Sequence, residues 1–306
     1  MRRFPNLPTS NDIQFDVAKA TYEGKETIAI LPTGFGKTLI AGFSSVLRHL
    51  NGPEGGTTVT VFDVFVVPLT ILMSEHSKEM RKWGIAGCQL TAKTKNEVIR
   101  DLRNCRNDPD TGYEKLFVLV STPEFLNTVT GKETLKNLQL SIMFVDEAHL
   151  VKKWGEEYRA AFAKLYELRT LSAFNICALT ATCTQTTLAC IHSSLNLETD
   201  TVIFAASPNR LNIFLETIPS RQRNAFLEDN ICGNLRKHGK HFPRTIIFLD
   251  TYSELVAVKK RVMPVLQEYA YQSENTPENC MLGTYCAEMT DASKKLSSAH
   301  LRVKME

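Results

Sequence analysis

The stretch of this 306-residue sequence that most constrains its fold is residues 27–50. A short apolar run, Thr27-Ile28-Ala29-Ile30-Leu31, leads into the turn Pro32-Thr33-Gly34-Phe35-Gly36. Lys37-Thr38 then opens a helical pattern that continues to residue 50. Strand, glycine-bearing turn and helix in that order build a phosphate cradle. The turn aims backbone N–H groups at an anion, and the helix N-terminus adds a favourable dipole. Gly34 and Gly36 allow close approach, Lys37 reaches the β- and γ-phosphates, and the Thr38 hydroxyl suits Mg²⁺. The strict pattern begins with glycine six residues before the lysine, where Leu31 stands. The competing reading is a chance Gly-Lys-Thr at a helix start, which the correctly ordered flanks argue against.

Further apolar runs at 59–67, 116–120, 142–145, 176–179 and 201–205 alternate with helical patterns such as 69–83. Continuous rather than alternating apolar strands predict a parallel sheet covered on both faces by helices, an α/β architecture. Ser207-Pro208-Asn209 breaks the pattern, so the expected division is a first domain over 1–206, a linker over 207–210 and a second α/β unit over 211–306. In that second unit a strand is expected over 245–249 and a helix over 253–269.

A second candidate element lies at the end of the run 141–145, where Asp146-Glu147-Ala148-His149 follows. Carboxylates at the C-terminal ends of parallel strands sit where ligands bind in open α/β sheets. Asp146 is read as holding Mg²⁺, directly or through water, Glu147 as the residue that orients and deprotonates an attacking water, and His149 as a sensor of the nucleotide or of the neighbouring domain. Acids that merely open a helix give the same local pattern. One nucleotide site explains both the loop and the acids, and their order along the chain is right for phosphoryl chemistry.

Composition narrows the class. Apolar residues make up 43% and charged residues 23%, which is ordinary for a globular protein. A net charge of +3 is compatible with a nucleic-acid partner without arguing for one. None of the eight cysteines forms a C-x-x-C pair, so no zinc site is expected and the thiols read as reduced. No apolar run approaches the roughly 18 residues of a membrane span, and residues 1–10 lack the apolar core of a signal peptide. The expectation is an intracellular protein with no membrane partner, nuclear if the source is eukaryotic.

The motifs together resemble superfamily 2 helicases, specifically the RecQ family of DNA helicases in its DEAH-box form. That family carries Pro-Thr-Gly-x-Gly-Lys without the leading glycine, which accounts for Leu31. The resemblance implies a RecA-like P-loop motor domain followed by an incomplete second RecA-like domain, with ATP and Mg²⁺ as cofactors. It assigns the cradle to Pro32, Thr33, Gly34, Phe35, Gly36, Lys37 and Thr38, and adenine reading to Gln14, although the aromatic usual four residues earlier is Ser10 here. It implies that Pro68 and Thr122 contact DNA, in segments that resemble two DNA-contact motifs, with Val67 replacing a usual serine. Thr180 and Thr182, in Ala178-Leu179-Thr180-Ala181-Thr182, would couple hydrolysis to movement. Asn209-Arg210-Leu211-Asn212-Ile213 and Ile246-Ile247-Phe248-Leu249 resemble the inter-domain stretch and the first strand of the second motor domain.

The most specific likeness is Lys153-Trp154-Gly155-Glu156-Glu157-Tyr158-Arg159-Ala160-Ala161-Phe162, similar to the aromatic-rich loop that senses single-stranded DNA in that family. Trp154 could stack on a base, worth about 1–3 kcal/mol, and Arg159 could pair with phosphate. Trp154, Tyr158 and Phe162 also share helical spacing, which is the pattern of a buried face; Phe162 is assigned to the core. The likeness weakens after Leu249, where Cys286 and Glu288 replace a family histidine and glycine. The family's transition-state arginines, worth about 10³–10⁵ in rate in related systems, fall in motifs not reached by Glu306. These residues alone are therefore expected to turn ATP over weakly or not at all. Three functions follow: an ATP-dependent 3′→5′ DNA helicase acting on single-stranded or forked DNA in repair or recombination, a nucleotide-gated nucleic-acid clamp with little turnover, or an RNA helicase.

Overall fold

A computed structural model describes residues 4, 6–50, 61–104, 117–153, 160–171, 173–276 and 279–286. The chain divides into two compact units, Met1–Arg210 and Leu211–Glu306.

The first unit opens with α1 (Asp12–Tyr22), whose start is fixed by a capping box. Asn11 accepts from the Gln14 backbone N–H at 2.9 Å, and the Gln14 side chain accepts from the Asn11 N–H at 2.8 Å. Then follow β1 (Thr27–Ile30), α2 (Lys37–Leu50), β2 (Val61–Val66), α3 (Thr70–Lys82), β3 (Ala86–Gln89), α4 (Lys95–Asn104) and β4 (Phe117–Ser121). The short helices α5 (Pro123–Leu126) and α6 (Val129–Lys136) precede β5 (Gln139–Val145), and α7 (Leu150–Lys153) and α8 (Ala160–Ala163) precede β6 (Asn175–Thr180). The unit ends with α9 (Gln185–Ser194) and β7 (Val202–Ala205).

Among the described residues, seven strands form one sheet in the order β3-β4-β2-β5-β6-β1-β7, and every pairing is parallel. Alternation along each strand feeds two separate apolar layers. Val64, Leu119, Met143 and Ile176 face one layer, closed by Leu126, Phe162, Leu165 and Ile191. Phe65, Val118, Phe144 and Cys177 face the other, closed by Val17, Ile40, Met73 and Trp83. The inner strands read as largely apolar runs because both of their faces are covered, with Asp63 in β2 a buried exception paired to Arg48. The edge strand β7 alternates instead, with Ile203 half exposed. The other edge, β3, has the sequence Ala-Gly-Cys-Gln and no apolar run to announce it. It forms because its backbone pairs with β4, Cys88 against Leu119.

The second unit is smaller in ordered content. Helix α10 (Arg223–Phe226) runs through a π-helical turn at Leu227–Cys232 into α11 (Gly233–His238), and α12 (Tyr252–Leu266) follows. Cys232, Leu235, Val262, Leu266 and Ala270 form its core. Thr251 caps α12 by accepting from the Glu254 N–H. The expected helix over 253–269 thus ends early, with Pro264 in its last turn and a 3₁₀ segment after it. The strand expected over 245–249 does not form: Ile246 is 62% and Phe248 88% exposed. An apolar run becomes a strand only when a neighbour takes its backbone hydrogen bonds. Among the described residues this unit offers only an isolated bridge between Tyr271 and Cys280.

Candidate nucleotide site

Parallel pairing puts the C-terminal ends of all the strands on one edge of the sheet. The phosphate loop leaves β1 there, Pro68 follows β2, Thr122 follows β4, Asp146 follows β5, and Thr180 ends β6. Strand β6 lies between β1 and β5, so loop and acids separated by over a hundred residues become neighbours. The C-terminal strand ends are where open α/β sheets bind ligands.

The loop holds its shape through three kinds of contact. Leu31 N–H donates to the Thr180 carbonyl at 2.8 Å, tying the end of β1 to β6. Gln14 Nε2 donates to the Phe35 carbonyl at 2.5 Å, and Arg210 donates to the Thr33 carbonyl. Gly34 and Gly36 have φ of 82° and 74°, the left-handed region that glycine enters without strain. A Cβ on Gly36 would also stand 2.7 Å from Gln14 Nε2. Lys37 Nζ donates to the Leu31 carbonyl at 3.4 Å, a weak contact that a phosphate readily displaces. Gly36→Ala combines the left-handed strain with that clash. At about 1–2 kcal/mol for the backbone alone, it is expected to weaken nucleotide affinity roughly tenfold or more. Titration with a fluorescent ATP analogue checks this, and an unchanged affinity would mean that the turn is not the cradle.

The acidic side is buried. Asp146 is 7% exposed, and burial pushes its carboxyl up to about 6, with the neighbouring Glu147 charge adding to the rise and Lys37 opposing it. Among the described residues, Asp146 Oδ1 has no hydrogen-bond partner, which is costly for a buried acceptor unless a cation takes that place. His76, from α3, lies with Nδ1 3.0 Å from Thr38 Oγ1 and Nε2 3.9 Å from Asp146 Oδ2. Burial lowers the His76 pKa below the usual imidazole value, which favours the neutral ring. The donors present, a hydroxyl and a buried carboxylate oxygen beside a lysine, are of the hard oxygen kind that would suit a divalent cation.

Glu147 is held at φ 50°, a left-handed conformation uncommon outside glycine. Its Oε2 lies 3.2 Å from His149 Nδ1. The same nitrogen lies 2.9 Å from Thr180 Oγ1, which donates onward to the Thr182 carbonyl at 3.0 Å and accepts from the Thr182 N–H at 3.3 Å. His149 Nδ1 therefore stands within reach of both Glu147 Oε2 and Thr180 Oγ1, so its single hydrogen is shared between the two acceptors.

Residues 11–190 match the DEAD/DEAH box helicase family, more than half of the chain. The chain belongs to that family. Among curated proteins, this chain is similar to the probable ATP-dependent DNA helicase RecS of Bacillus subtilis (strain 168), with 31% identity over 204 residues, 66% of this chain and 37% of that protein. It is also similar to the ATP-dependent DNA helicase RecQ of the same organism, with 23% identity over 242 residues, 78% of this chain and 37% of that protein. The ATP-dependent helicase SGS1 of Saccharomyces cerevisiae is 26% identical over 241 residues, 77% of this chain and 16% of that protein. The chain thus spans little more than a third of the first two relatives. In fold, it resembles the DUF1998 helicase MrfA bound to DNA, with a TM-score of 0.58 and 12% identity over 84% of this chain and 35% of that one. The seven-stranded parallel sheet is accordingly a RecA-like helicase fold.

Of the helicase residues expected from sequence, the structure gathers Lys37, Thr38, Asp146, Glu147, His149, Thr180 and Thr182 at one place. Gln14 stands beside the loop, but both ends of its amide are engaged, one in the capping box and one on Phe35. In this arrangement it braces the loop. Pro68 is buried, and Thr122 is 6% exposed and caps α5 by accepting from the Phe125 N–H. Leu69 and Ile71, beside Pro68, are exposed apolar side chains at that edge. Trp154 and Arg159 lie outside the described residues. Sequence reading missed His76 and the clasp from Arg210 to the loop. His76 follows the motif-like segment around Pro68 without belonging to it, and only the fold carries it to Thr38.

Proposed function

We propose that this protein is an ATP-dependent DNA helicase in which Mg²⁺–ATP is held between the loop Pro32–Thr38 and Asp146. The observation that carries this reading is the meeting of Thr38, Lys37, Asp146 and Glu147 at one sheet edge, with a buried carboxylate oxygen left for a cation. Backbone N–H groups of the loop and Lys37 take the phosphates. Thr38 and Asp146 would hold the cation, which supplies charge neutralisation on the phosphates. Glu147 accepts the proton of the attacking water, and His149 passes the state of that carboxylate to Thr180 and Thr182. The similarity to RecQ and RecS supports DNA as the substrate, in single-stranded or forked form, with 3′→5′ movement and a role in repair or recombination. Pro68, Thr122, Trp154 and Arg159 are proposed on the DNA path, and a eukaryotic protein of this kind would work in the nucleus. The second unit is proposed as part of a second RecA-like domain.

Lys37→Ala is expected to lower affinity for ATP by about 100-fold, since hydrogen bonds to charged groups contribute about 1.5–3 kcal/mol each, while the circular-dichroism spectrum stays that of the parent. Unchanged affinity would remove the loop from the site. Strand displacement on a forked duplex then separates the alternatives. ATP-dependent DNA affinity without turnover indicates a nucleotide-gated clamp, and preference for an RNA duplex indicates an RNA helicase.

A further inference from the structure

His76 belongs to none of the motifs above, yet it stands between the two candidate cation ligands, 3.0 Å from Thr38 Oγ1 through Nδ1 and 3.9 Å from Asp146 Oδ2 through Nε2. Its ring is largely buried and is packed against Phe65, with centroids 5.0 Å apart and planes tilted by 53°. The ring position is therefore set by the core and not by solvent. A neutral imidazole has one donor and one acceptor nitrogen. An ionised carboxylate only accepts, so the arrangement that serves both neighbours has the proton on Nε2, facing Asp146. Nδ1 then accepts from the Thr38 hydroxyl, and Thr38 presents its oxygen lone pairs to a cation rather than its proton.

We propose that His76 is a positioning residue that joins Thr38 to Asp146 and sets the divalent-cation affinity of the nucleotide site. This rests on reading Thr38 and Asp146 as the cation ligands. Groups that orient metal ligands from outside typically change affinity by about 10–100-fold when removed. The imidazole is suited to this role for a further reason: it satisfies Thr38 and faces Asp146 at once, yet among the described residues nothing occupies Asp146 Oδ1.

The test uses Mn²⁺ as a spectroscopic probe with ADP and the full chain. Electron paramagnetic resonance measures bound Mn²⁺ in the parent, in His76→Phe, which keeps the packing against Phe65 but has no ring nitrogen, and in His76→Gln, which restores one acceptor and one donor. His76→Phe is expected to bind Mn²⁺ about 10–100-fold more weakly, with ADP affinity in EDTA unchanged and with His76→Gln close to the parent. Equal Mn²⁺ affinity in parent and His76→Phe overturns the proposal. So does an equal loss in His76→Phe and His76→Gln, or a matching loss of ADP affinity in EDTA, because each shows that the ring acts by packing alone. A parent that takes up no Mn²⁺ in an ADP-dependent way defeats the nucleotide-site reading itself, an outcome distinct from the others.

Discussion

Glu147→Gln is expected to lower ATP turnover by about 10²–10⁴-fold, the usual contribution of a positioned general base, while ATP affinity stays near that of the parent. Glutamine keeps the size and the hydrogen-bonding reach of the side chain but cannot take a proton at neutral pH. It makes the same backbone demand, so the left-handed conformation at φ 50° should survive the change. The amide oxygen can still accept from His149 Nδ1, now 3.2 Å from the carboxylate, and the contact of His149 with Thr180 is kept. Single-turnover hydrolysis alongside nucleotide binding distinguishes the two effects. A loss of less than tenfold would assign the base to another residue. The conformation of Glu147 gives a second reason to regard this residue as functional: backbone strain of about 1–3 kcal/mol is retained where the surrounding structure and the chemistry require it.

Asp146→Asn should do the opposite to stability and to binding. The Asp146 carboxyl rises from 3.8 to about 6 on folding, chiefly through burial. A raised carboxyl gives stability that is fully present below about pH 4 and is lost as pH rises through about 6. Above pH 7 the ligand-free protein therefore carries an ionised, desolvated group that costs about 3 kcal/mol, at roughly 1.4 kcal/mol for each pH unit of the rise. Asparagine removes that cost. The variant should melt at a higher temperature than the parent at pH 8, with the difference shrinking toward pH 4. In the presence of Mg²⁺ and ATP the order should reverse, because ligand binding stabilises only the form that binds. Melting curves across pH 4–8, with and without nucleotide, test both parts. A gap that does not change with pH would show that burial of this carboxylate is not what limits the parent. Stability and activity then oppose each other at one residue, as expected where a site keeps a charge ready for a cation.

The inner strands were legible because each is covered on both faces, so β1, β2, β4, β5 and β6 announce themselves as apolar runs. Strand β3 was not legible, since Ala86–Gln89 carries no apolar signal and exists through pairing with β4. The run at 245–249 shows the converse: apolar residues with strand propensity and no pairing partner among the described residues. In the site, Lys37, Thr38, Asp146 and Glu147 could be named from the order of a turn and an acidic pair along the chain. The engagement of Gln14 with Asn11 and Phe35, and the burial of Pro68 and Thr122, could not be read that way.

The phosphate loop illustrates the division. Sequence alone determined that a strand, a two-glycine turn and a Lys-Thr helix start stand together, because those are local relations over about a dozen residues and depend on propensity and backbone freedom. Tertiary structure decided what completes the loop. The insertion of β6 between β1 and β5 brings Asp146 to the loop, and packing against Phe65 carries His76 from α3 to Thr38. The left-handed turn at Glu147 leaves that side chain on His149. Strand order and side-chain packing depend on contacts between residues tens to hundreds of positions apart, and periodicity along the chain carries no record of them.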